Sequence, residues 1–294
     1  MINPCLPNRR ILGVSVLLLS LLAAGCGSSS STTASTSTAA VTSTSSGSTT
    51  ATDLASGFKK AKWGDNVTVT IAEGKLRYVS NGLPNHERNA QYALPNAGVQ
   101  VPGAATATAG DDPTVAQSYD YTIPLTPSRA STPTSTNLGV IGVMISGASL
   151  FSPYEGDSTT VATASNFSVV GAGGTKVWFL DDCSGHPTPM GQYHYHALPT
   201  CVTAQVDKTG GASHIIGIAF DGYPIYGDRD VNGKQVKVAD LDRCNGITSA
   251  TPEFPGGTYH YVLLDTADST SSIRCFTGVV DEALSSKTAM PAMP

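Results

Sequence analysis

Clusters of lysine and arginine are missing from this sequence, which carries 17 basic and 22 acidic residues among 294. Proteins that bind nucleic acid present a basic patch or stripe, often with aromatic residues between the cations. Because no such patch occurs in the sequence, we expect no nucleic-acid partner.

Long stretches with helical periodicity are also scarce. Short β-branched and aromatic runs, separated by Gly, Pro, Asn and Asp, are present instead, which is typical of all-β domains. We therefore predict a mainly antiparallel, sandwich-like β-domain with few short helices and loops stapled by disulfides. Two stretches rich in Ala, Pro, Thr and Gly, 91–118 and 126–136, are predicted to be surface loops. The predicted strands are Val67–Ile71, Lys75–Val79, Tyr119–Pro124, Leu138–Ile145, Lys176–Leu180, His214–Phe220, Thr258–Leu264 and Ser272–Phe276.

Two signatures of reactive sites do not occur. The Gly-x-Ser-x-Gly elbow that presents a serine nucleophile is missing. No two cysteines have the Cys-x-x-Cys spacing of common structural zinc sites. These absences disfavour a serine hydrolase and a four-cysteine zinc site.

The first 25 residues have the pattern of an export signal. Arg9 and Arg10 precede a short apolar run, 11–22, and small residues follow it up to Cys26. The run is shorter than the roughly 20 residues that span a membrane. Small residues directly before a cysteine resemble a bacterial lipobox, so we predict lipidation of Cys26. The alternative is an ordinary signal peptide with an incidental cysteine.

The segment after Cys26 consists almost entirely of Ser, Thr and Ala and carries no charge up to residue 50. Such a segment buries little apolar surface and stays solvated. A lipid on Cys26 would attach the protein to a membrane of the bacterial cell envelope, at the outer membrane or the cell surface. The predicted segments are a signal peptide at 1–25, a tether at 26–52, a β-domain at 53–286 and a tail at 287–294.

Four cysteines remain after Cys26, namely Cys183, Cys201, Cys244 and Cys275. An even number in an exported chain favours two disulfides, which four cysteines can form in three ways. We predict sequential pairing, Cys183 with Cys201 and Cys244 with Cys275, because each pair closes one similar loop.

Histidine is rare, yet three of the six histidines lie between Cys183 and Cys201. Within this window, Tyr193–His196 reads Tyr-His-Tyr-His. If this stretch is extended, His194 and His196 point to one face and the two tyrosines to the other. Two imidazoles on one face of a strand are a natural pair of metal ligands.

A partial repeat surrounds this motif. Asp181–Gly185 leads to Gly191–Tyr195, and Asp242–Gly246 leads to Gly257–Tyr261, with Cys-x-Gly and Gly-x-Tyr-His-Tyr in both copies. The second copy has Val262 where the first has His196. Two copies do not make a solenoid, so we predict two related hairpins that face each other across one site.

These residues resemble the YHYH-domain family of exported proteins. The resemblance implies the same fold and the same histidine-rich feature. It does not imply any particular chemical reaction. Ile247 departs from the family pattern, in which a histidine is common at that position. The matching motifs are Ser80–His86, Asp182–Pro187, Gly191–His196, Gly217–Gly227, Asp242–Gly246 and Gly257–Tyr261.

We predict a metal site that joins His194 and His196 to His260 of the second copy and to His86, with His186 as a less favoured ligand. Neutral imidazole binds copper and zinc, and the sequence does not separate the two. Metal-bound histidines need acceptors that fix their tautomers. The predicted supporting residues are Asp181, Asp182, Asp221, Tyr193, Tyr195 and Tyr259.

Two other functions stay open. Three histidines with a water at a fourth position would make a metal-dependent extracytoplasmic enzyme. Alternatively, Tyr-His-Tyr packs hairpins without a metal, and exposed tyrosines make the domain a surface module that binds glycan or protein.

Overall fold

The structure is a computed structural model that describes residues 51–136, 138–162, 167–281 and 284. The predicted signal peptide, Cys26, most of the tether and the tail lie outside the described residues. Residues 51 and 52, which we assigned to the tether, instead begin a helix. Among the described residues, no helix is long and apolar enough to cross a membrane.

Strands make up most of the regular structure, so the prediction of a mainly antiparallel β-fold with few short helices is confirmed. The described residues form two α-helices, α1 (Ala51–Phe58) and α2 (Thr200–Val206). The strands are β1 (Val67–Ala72), β2 (Lys75–Ser80), β3 (Gln91–Pro95), β4 (Ala107–Asp111), β5 (Tyr119–Pro124), β6 (Arg129–Ser135), β7 (Val140–Met144), β8 (Ser149–Phe151), β9 (Ser168–Val170), β10 (Lys176–Trp178), β11 (Gly185–Pro187), β12 (Tyr193–Tyr195), β13 (Ile215–Ala219), β14 (Pro224–Tyr226), β15 (Gly246–Ser249), β16 (Thr258–Val262) and β17 (Cys275–Gly278). Short 3-10 helices cover Ala172–Gly174, Val238–Asp240 and Ser269–Ser271.

The two predicted surface loops contain three of these strands, so that part of the prediction is wrong. Strands β3 and β4 pair with each other, and β6 pairs with β17. Their Ala-, Thr- and Pro-rich sequences have weak strand character. Strand propensity depends on context, and here the backbone pairing overrides the composition.

An eight-stranded sheet carries the histidine motif. Its order is β11-β12-β8-β7-β13-β14-β16-β15. The pairs β12/β8 and β14/β16 are parallel, and the other neighbours are antiparallel. Read outward from the β7/β13 pair, the two halves repeat the same arrangement. In each half, a hairpin is extended by the second strand of a later hairpin.

The internal duplication is therefore longer than the sequence repeat that we recognised. Residues 142–152 in β7 and β8 align without a gap with residues 217–227 in β13 and β14. In both hairpins the turn holds a glycine with positive φ, Gly147 and Gly222. The predicted Asp221-Gly222 turn is confirmed. Pro224 begins β14 without placing it at an edge, because the first residue of a strand tolerates a missing N–H donor.

A smaller sheet, β1-β2-β5, packs against the centre of the large one. The ring centroids of Tyr121 and Phe220 lie 5.1 Å apart. The hydroxyl of Tyr78 donates to the Met144 carbonyl at 3.0 Å. These contacts belong to one continuous core that also includes Tyr193 and Tyr195.

The first Cys-x-Gly turn is built around the Asp181 carboxylate. Its Oδ1 accepts from the N–H groups of Cys183 at 2.9 Å and Gly185 at 3.1 Å. Its Oδ2 accepts from the hydroxyls of Tyr193 at 2.7 Å and Tyr92 at 2.8 Å. Glycine is required at 185 because an added Cβ would lie 2.3 Å from the Tyr193 hydroxyl oxygen.

The second turn repeats this geometry around Asp242. Its Oδ1 accepts from the N–H groups of Cys244 at 2.8 Å and Gly246 at 2.9 Å, and its Oδ2 accepts from the Tyr259 hydroxyl at 2.9 Å. Asp242 is exposed, whereas Asp181 is buried. The same sequence motif thus closes the same hairpin twice, in two different environments.

Both predicted disulfides are present with the predicted sequential pairing. Cys183 bonds to Cys201, and Cys244 bonds to Cys275. The first disulfide ties the Cys-x-Gly turn to the start of α2, and the second ties its counterpart to β17.

We predict that Asp181→Ala lowers the free energy of unfolding by roughly 4 kcal/mol, and Asp242→Ala by roughly 1–2 kcal/mol, as measured by urea denaturation. Asp181→Ala leaves four donors in a buried turn without an acceptor, whereas water replaces the exposed Asp242 carboxylate. Tyr259 also keeps a bond to Thr277. Equal losses for the two variants would contradict this account of the turns.

Candidate metal centre

Three histidine rings meet on one face of the β11/β12 hairpin. His186 on β11 lies directly opposite His194 on β12. His196 follows two residues after His194, so it returns to the same face. The Nε2 atom of His196 lies 2.9 Å from Nε2 of His194 and 3.2 Å from Nε2 of His186. All three side chains are buried.

The spacing of these nitrogen atoms suits one bound ion. One ligand atom from each of His186, His194 and His196 lies within 4.8 Å of the other two. Nitrogen ligands at 2.0–2.1 Å from a tetrahedral zinc ion are about 3.3 Å from one another. The two measured Nε2 separations are close to that value, so a small contraction or expansion of the group is enough to accept an ion.

Backbone carbonyls fix the tautomers of two of the rings. Nδ1 of His196 lies 2.7 Å from the Ser152 carbonyl oxygen, and Nδ1 of His194 lies 3.1 Å from the Gln192 carbonyl oxygen. Because a carbonyl oxygen only accepts, each Nδ1 carries the proton. In the neutral ring, the Nε2 atom then presents its lone pair to the centre of the group.

The three imidazole rings stay neutral near neutral pH, so no added proton separates their Nε2 atoms. Burial lowers the pKa of His196 to about 4. Burial, followed by the neighbouring histidines, lowers the pKa values of His186 and His194 well below the ordinary value. The Nε2 lone pairs of His194 and His196 therefore face each other at 2.9 Å with no proton between them. A metal cation removes this repulsion by accepting both lone pairs.

Aromatic rings hold the imidazoles in place. The Phe151 ring stacks on His194 with centroids 3.8 Å apart, and it meets His196 edge-on at 5.9 Å. The Phe179 ring lies 4.2 Å from that of His186. These contacts orient the rings and surround the site with a low-dielectric wall, which strengthens binding of a charge by its ligands.

His86, a predicted ligand, lies on the opposite face of β12. Its Nε2 is 2.7 Å from the Tyr195 hydroxyl, and its ring packs 5.8 Å from that of Tyr193. The structure does not bring it to the other histidines, because side chains of alternate residues in a strand point to opposite faces. The sulfurs of Cys183 and Cys201 lie near His86, but both are used in their disulfide.

His260 is not brought to the group either. Five strand-to-strand steps of about 4.8 Å separate β12 from β16, so the two backbones are roughly 24 Å apart along the sheet. His260 instead packs against Tyr226 at 4.8 Å, with its Nδ1 3.1 Å from the Thr258 carbonyl oxygen. The two hairpins thus lie at opposite ends of the sheet, which corrects our prediction that they face each other.

The second half keeps the hairpin but not the ligand set. His260 corresponds to His194 in both pairing and tautomer contact. Ile247 pairs with His260, as His186 pairs with His194 in the first half. Val262 stands in place of His196. One half therefore offers three imidazoles and the other offers one.

The predicted supporting carboxylates do not contact the three histidines. Asp181 organises its turn, Asp182 is exposed, and the Asp221 carboxylate accepts from the Tyr261 hydroxyl and the Gly278 N–H group. Burial raises the pKa of Asp221 to about 6. Backbone carbonyls of Ser152 and Gln192 fix the tautomers in place of these carboxylates.

The predicted supporting tyrosines lie on the face of their hairpins away from the imidazoles. Tyr193 bonds to Asp181, and the Tyr195 hydroxyl lies 2.9 Å from the Ser146 hydroxyl. Tyr259 makes the matching contact with Asp242 in the second half. These tyrosines anchor the strands and leave the histidine face free of phenol groups.

Our sequence analysis gave His186 too little weight as a metal ligand. A usable signal was present: Pro187-Thr-Pro-Met-Gly-Gln192 is rich in turn-forming residues, and it separates His186 from His194 as a hairpin loop would. Treating 185–195 as a hairpin places these two histidines opposite each other. The Ser152 carbonyl had no comparable sequence signal, because any residue type supplies that group.

We predict that both rings of the pair His194 and His196 in metal-free protein are neutral and protonated at Nδ1 near pH 6. A long-range 1H–15N NMR correlation spectrum measures this directly. An ordinary histidine with a pKa of about 6.5 is largely protonated at that pH. Cationic rings, or protons on Nε2, would contradict the lone-pair arrangement.

Comparison with known families agrees with the motif. No curated protein and no solved structure matches the chain. The model of the family described as YHYH protein matches residues 120–238 and 229–278, which include both hairpins and more than half of the chain. The chain therefore belongs to the YHYH protein family.

Proposed function

We propose that this protein is an exported, lipid-anchored domain that binds one transition-metal ion through Nε2 of His186, His194 and His196. The observation that carries this proposal is the convergence of three buried, neutral imidazoles, in two of which, His194 and His196, the Nε2 lone pairs face each other at 2.9 Å. A hydrogen-bonded packing lattice of histidines would pair each lone pair with an N–H group, and the fixed tautomers of His194 and His196 prevent this.

Copper and zinc are the ions that suit this ligand set. Three neutral imidazoles match the preferences of both metals. The four cysteines near the two hairpins are bonded in disulfides, so thiolate ligands from them do not favour Cu(I) or a zinc-thiolate site. In direct competition for a nitrogen site, Cu(II) binds more tightly than zinc.

Export and lipid attachment are supported by the chemistry of the chain. Two disulfides in a β-domain are typical of an oxidising compartment. The N-terminal sequence adds a basic pair, an apolar run and small residues before Cys26. Together they favour a location in the cell envelope, with the membrane reached through a lipid on Cys26.

A metal-dependent enzyme is the second candidate, and a cavity beside the histidines favours it. Three protein ligands leave a fourth position on a tetrahedral ion for water or substrate.

The interaction module has lost its main support, because the exposed tyrosines that it requires are not there. Ten of the eleven tyrosines are buried, and Tyr154 is half-buried.

We predict one metal ion per chain in protein purified from the periplasm without a tag, as measured by elemental analysis. His186→Ala, which removes a ligand that the Tyr-His-Tyr-His motif itself does not include, should weaken the binding of Cu(II) or zinc by at least about 100-fold in calorimetric titrations. The same loss is expected for His194→Ala and His196→Ala.

His260→Ala is the matched control, since His260 has the same place in the second hairpin. It should leave the stoichiometry and the affinity unchanged. Undiminished metal content in all three ligand variants, or an equal loss in the control, would overturn the assignment.

We predict that Cys26→Ser abolishes the lipid and releases the protein from the membrane fraction. In the protein without this substitution, mass spectrometry should find a diacylglyceryl group on an N-terminal Cys26. A mature N-terminus at another residue, with unmodified cysteine, would identify an ordinary signal peptide instead.

A further inference from the structure

A cavity of about 310 Å³ opens against the histidine group. His186, His194 and His196 form part of its wall, so the cavity lies beside the histidine group. Much of the remaining lining is apolar, with Phe151 and Phe179 as the largest apolar side chains. The volume is at the lower end of the range for pockets that hold small organic molecules, about 300–1,000 Å³.

One acidic side chain lines this cavity, and it lacks a partner. Glu155 is 7% exposed, and its Oε1 atom is buried without a hydrogen bond. Burial, with a contribution from Asp157, raises the pKa of Glu155 to about 8. Buried polar atoms are nearly always hydrogen-bonded, so the unpaired Oε1 of a residue that lines the cavity calls for an explanation.

The backbone of Glu155 helps to close its turn through hydrogen bonds with Thr160 and Ser158, but its side chain does not. The turn that follows β8 is closed by the Asp157 carboxylate, which accepts from the N–H groups of Thr159 and Thr160. At the corresponding position of the second half, the Asp230 carboxylate accepts from the N–H groups of Asn232 and Lys234. In the first half, the carboxylate that closes the turn thus belongs to Asp157, and the Glu155 side chain does not take part.

The second half also shows that the repeated strand arrangement does not by itself produce a cavity of this size. The corresponding pocket, beside His260, has a volume of only about 10 Å³. Near it, Glu253 accepts from the Tyr226 hydroxyl at 2.8 Å, and its other carboxylate oxygen lies 2.7 Å from Nδ1 of His214. The half with a single histidine at the ligand positions has almost no cavity beside that histidine, and the nearby carboxylate is paired. The half with three has an open cavity and an unpaired one.

We propose that this cavity binds a small, mainly apolar alcohol or phenol whose hydroxyl forms a hydrogen bond with the carboxyl group of Glu155. The apolar body of the molecule packs against Phe151 and Phe179. As a ligand held next to the fourth position of a bound metal, it deepens the proposed function and rests on it. Occupation of the cavity by the molecule depends only on the walls and on Glu155.

A matched pair of probes tests the hydrogen bond on the unmodified chain. The phenol 4-propylphenol can form a hydrogen bond with the neutral Glu155 carboxyl, whereas 4-propyltoluene has nearly the same shape and no polar atom. Calorimetry on metal-free and metal-loaded protein should show the phenol binding at least about tenfold more tightly, a factor of ten being about 1.4 kcal/mol. Equal affinities, or no binding of either probe, would overturn the proposal.

Substitutions at Glu155 and in the cavity wall test where the phenol binds. Glu155→Leu should reduce binding of the phenol to that of 4-propyltoluene, while Glu155→Gln keeps a carbonyl acceptor and should change the affinity less than about threefold. Val99→Trp, in the cavity wall, should abolish binding of both probes. Undiminished phenol binding in Glu155→Leu would rule out the assigned contact.

Metal content, measured on the same samples, separates this proposal from the proposed function. Phenol binding by protein that takes up no metal when copper or zinc is offered would overturn the metal site and leave the cavity assignment intact. Bound metal without phenol binding would do the reverse.

Discussion

The alternation of side chains along β12 is the constraint on which the site depends. Tyr193 and Tyr195 point into the core and are fixed by Asp181 and Ser146. Because these two hydroxyls have buried partners, a slip of the strand by one residue would break both contacts and turn the imidazoles toward the core in place of the tyrosines. The tyrosines of the motif therefore determine where its histidines lie, although they never touch them.

The same backbone serves two purposes in the two halves of the sheet. In each half, an Asp carboxylate closes a Cys-x-Gly turn and accepts the first tyrosine hydroxyl of the hairpin. The hairpin is thus a stable unit whether or not it carries three histidines. With Ile247 and Val262 at two of the three positions, the second copy holds apolar side chains where the first holds ligands.

Burial of three imidazoles without a cation is unfavourable, and the structure shows how this cost is limited. Carbonyl groups of Ser152 and Gln192 receive the Nδ1 protons, and aromatic rings cover the flanks. The Nε2 lone pairs of His194 and His196 are left facing each other without a proton between them. Preorganised lone pairs of this kind favour a metal ion strongly, since little reorganisation is needed on binding.

Local patterns in the sequence were enough for the β-class, for both disulfides and for the shared face of His194 and His196, because strand alternation and short loops are local properties. The strands within 91–118 and 126–136 were missed, since pairing partners far along the chain decide them. Tertiary structure alone selected the third ligand: sheet order placed β16 far from β12 and removed His260, and strand pairing brought in His186. The order of strands in a sheet depends on contacts between distant segments, which no local pattern contains.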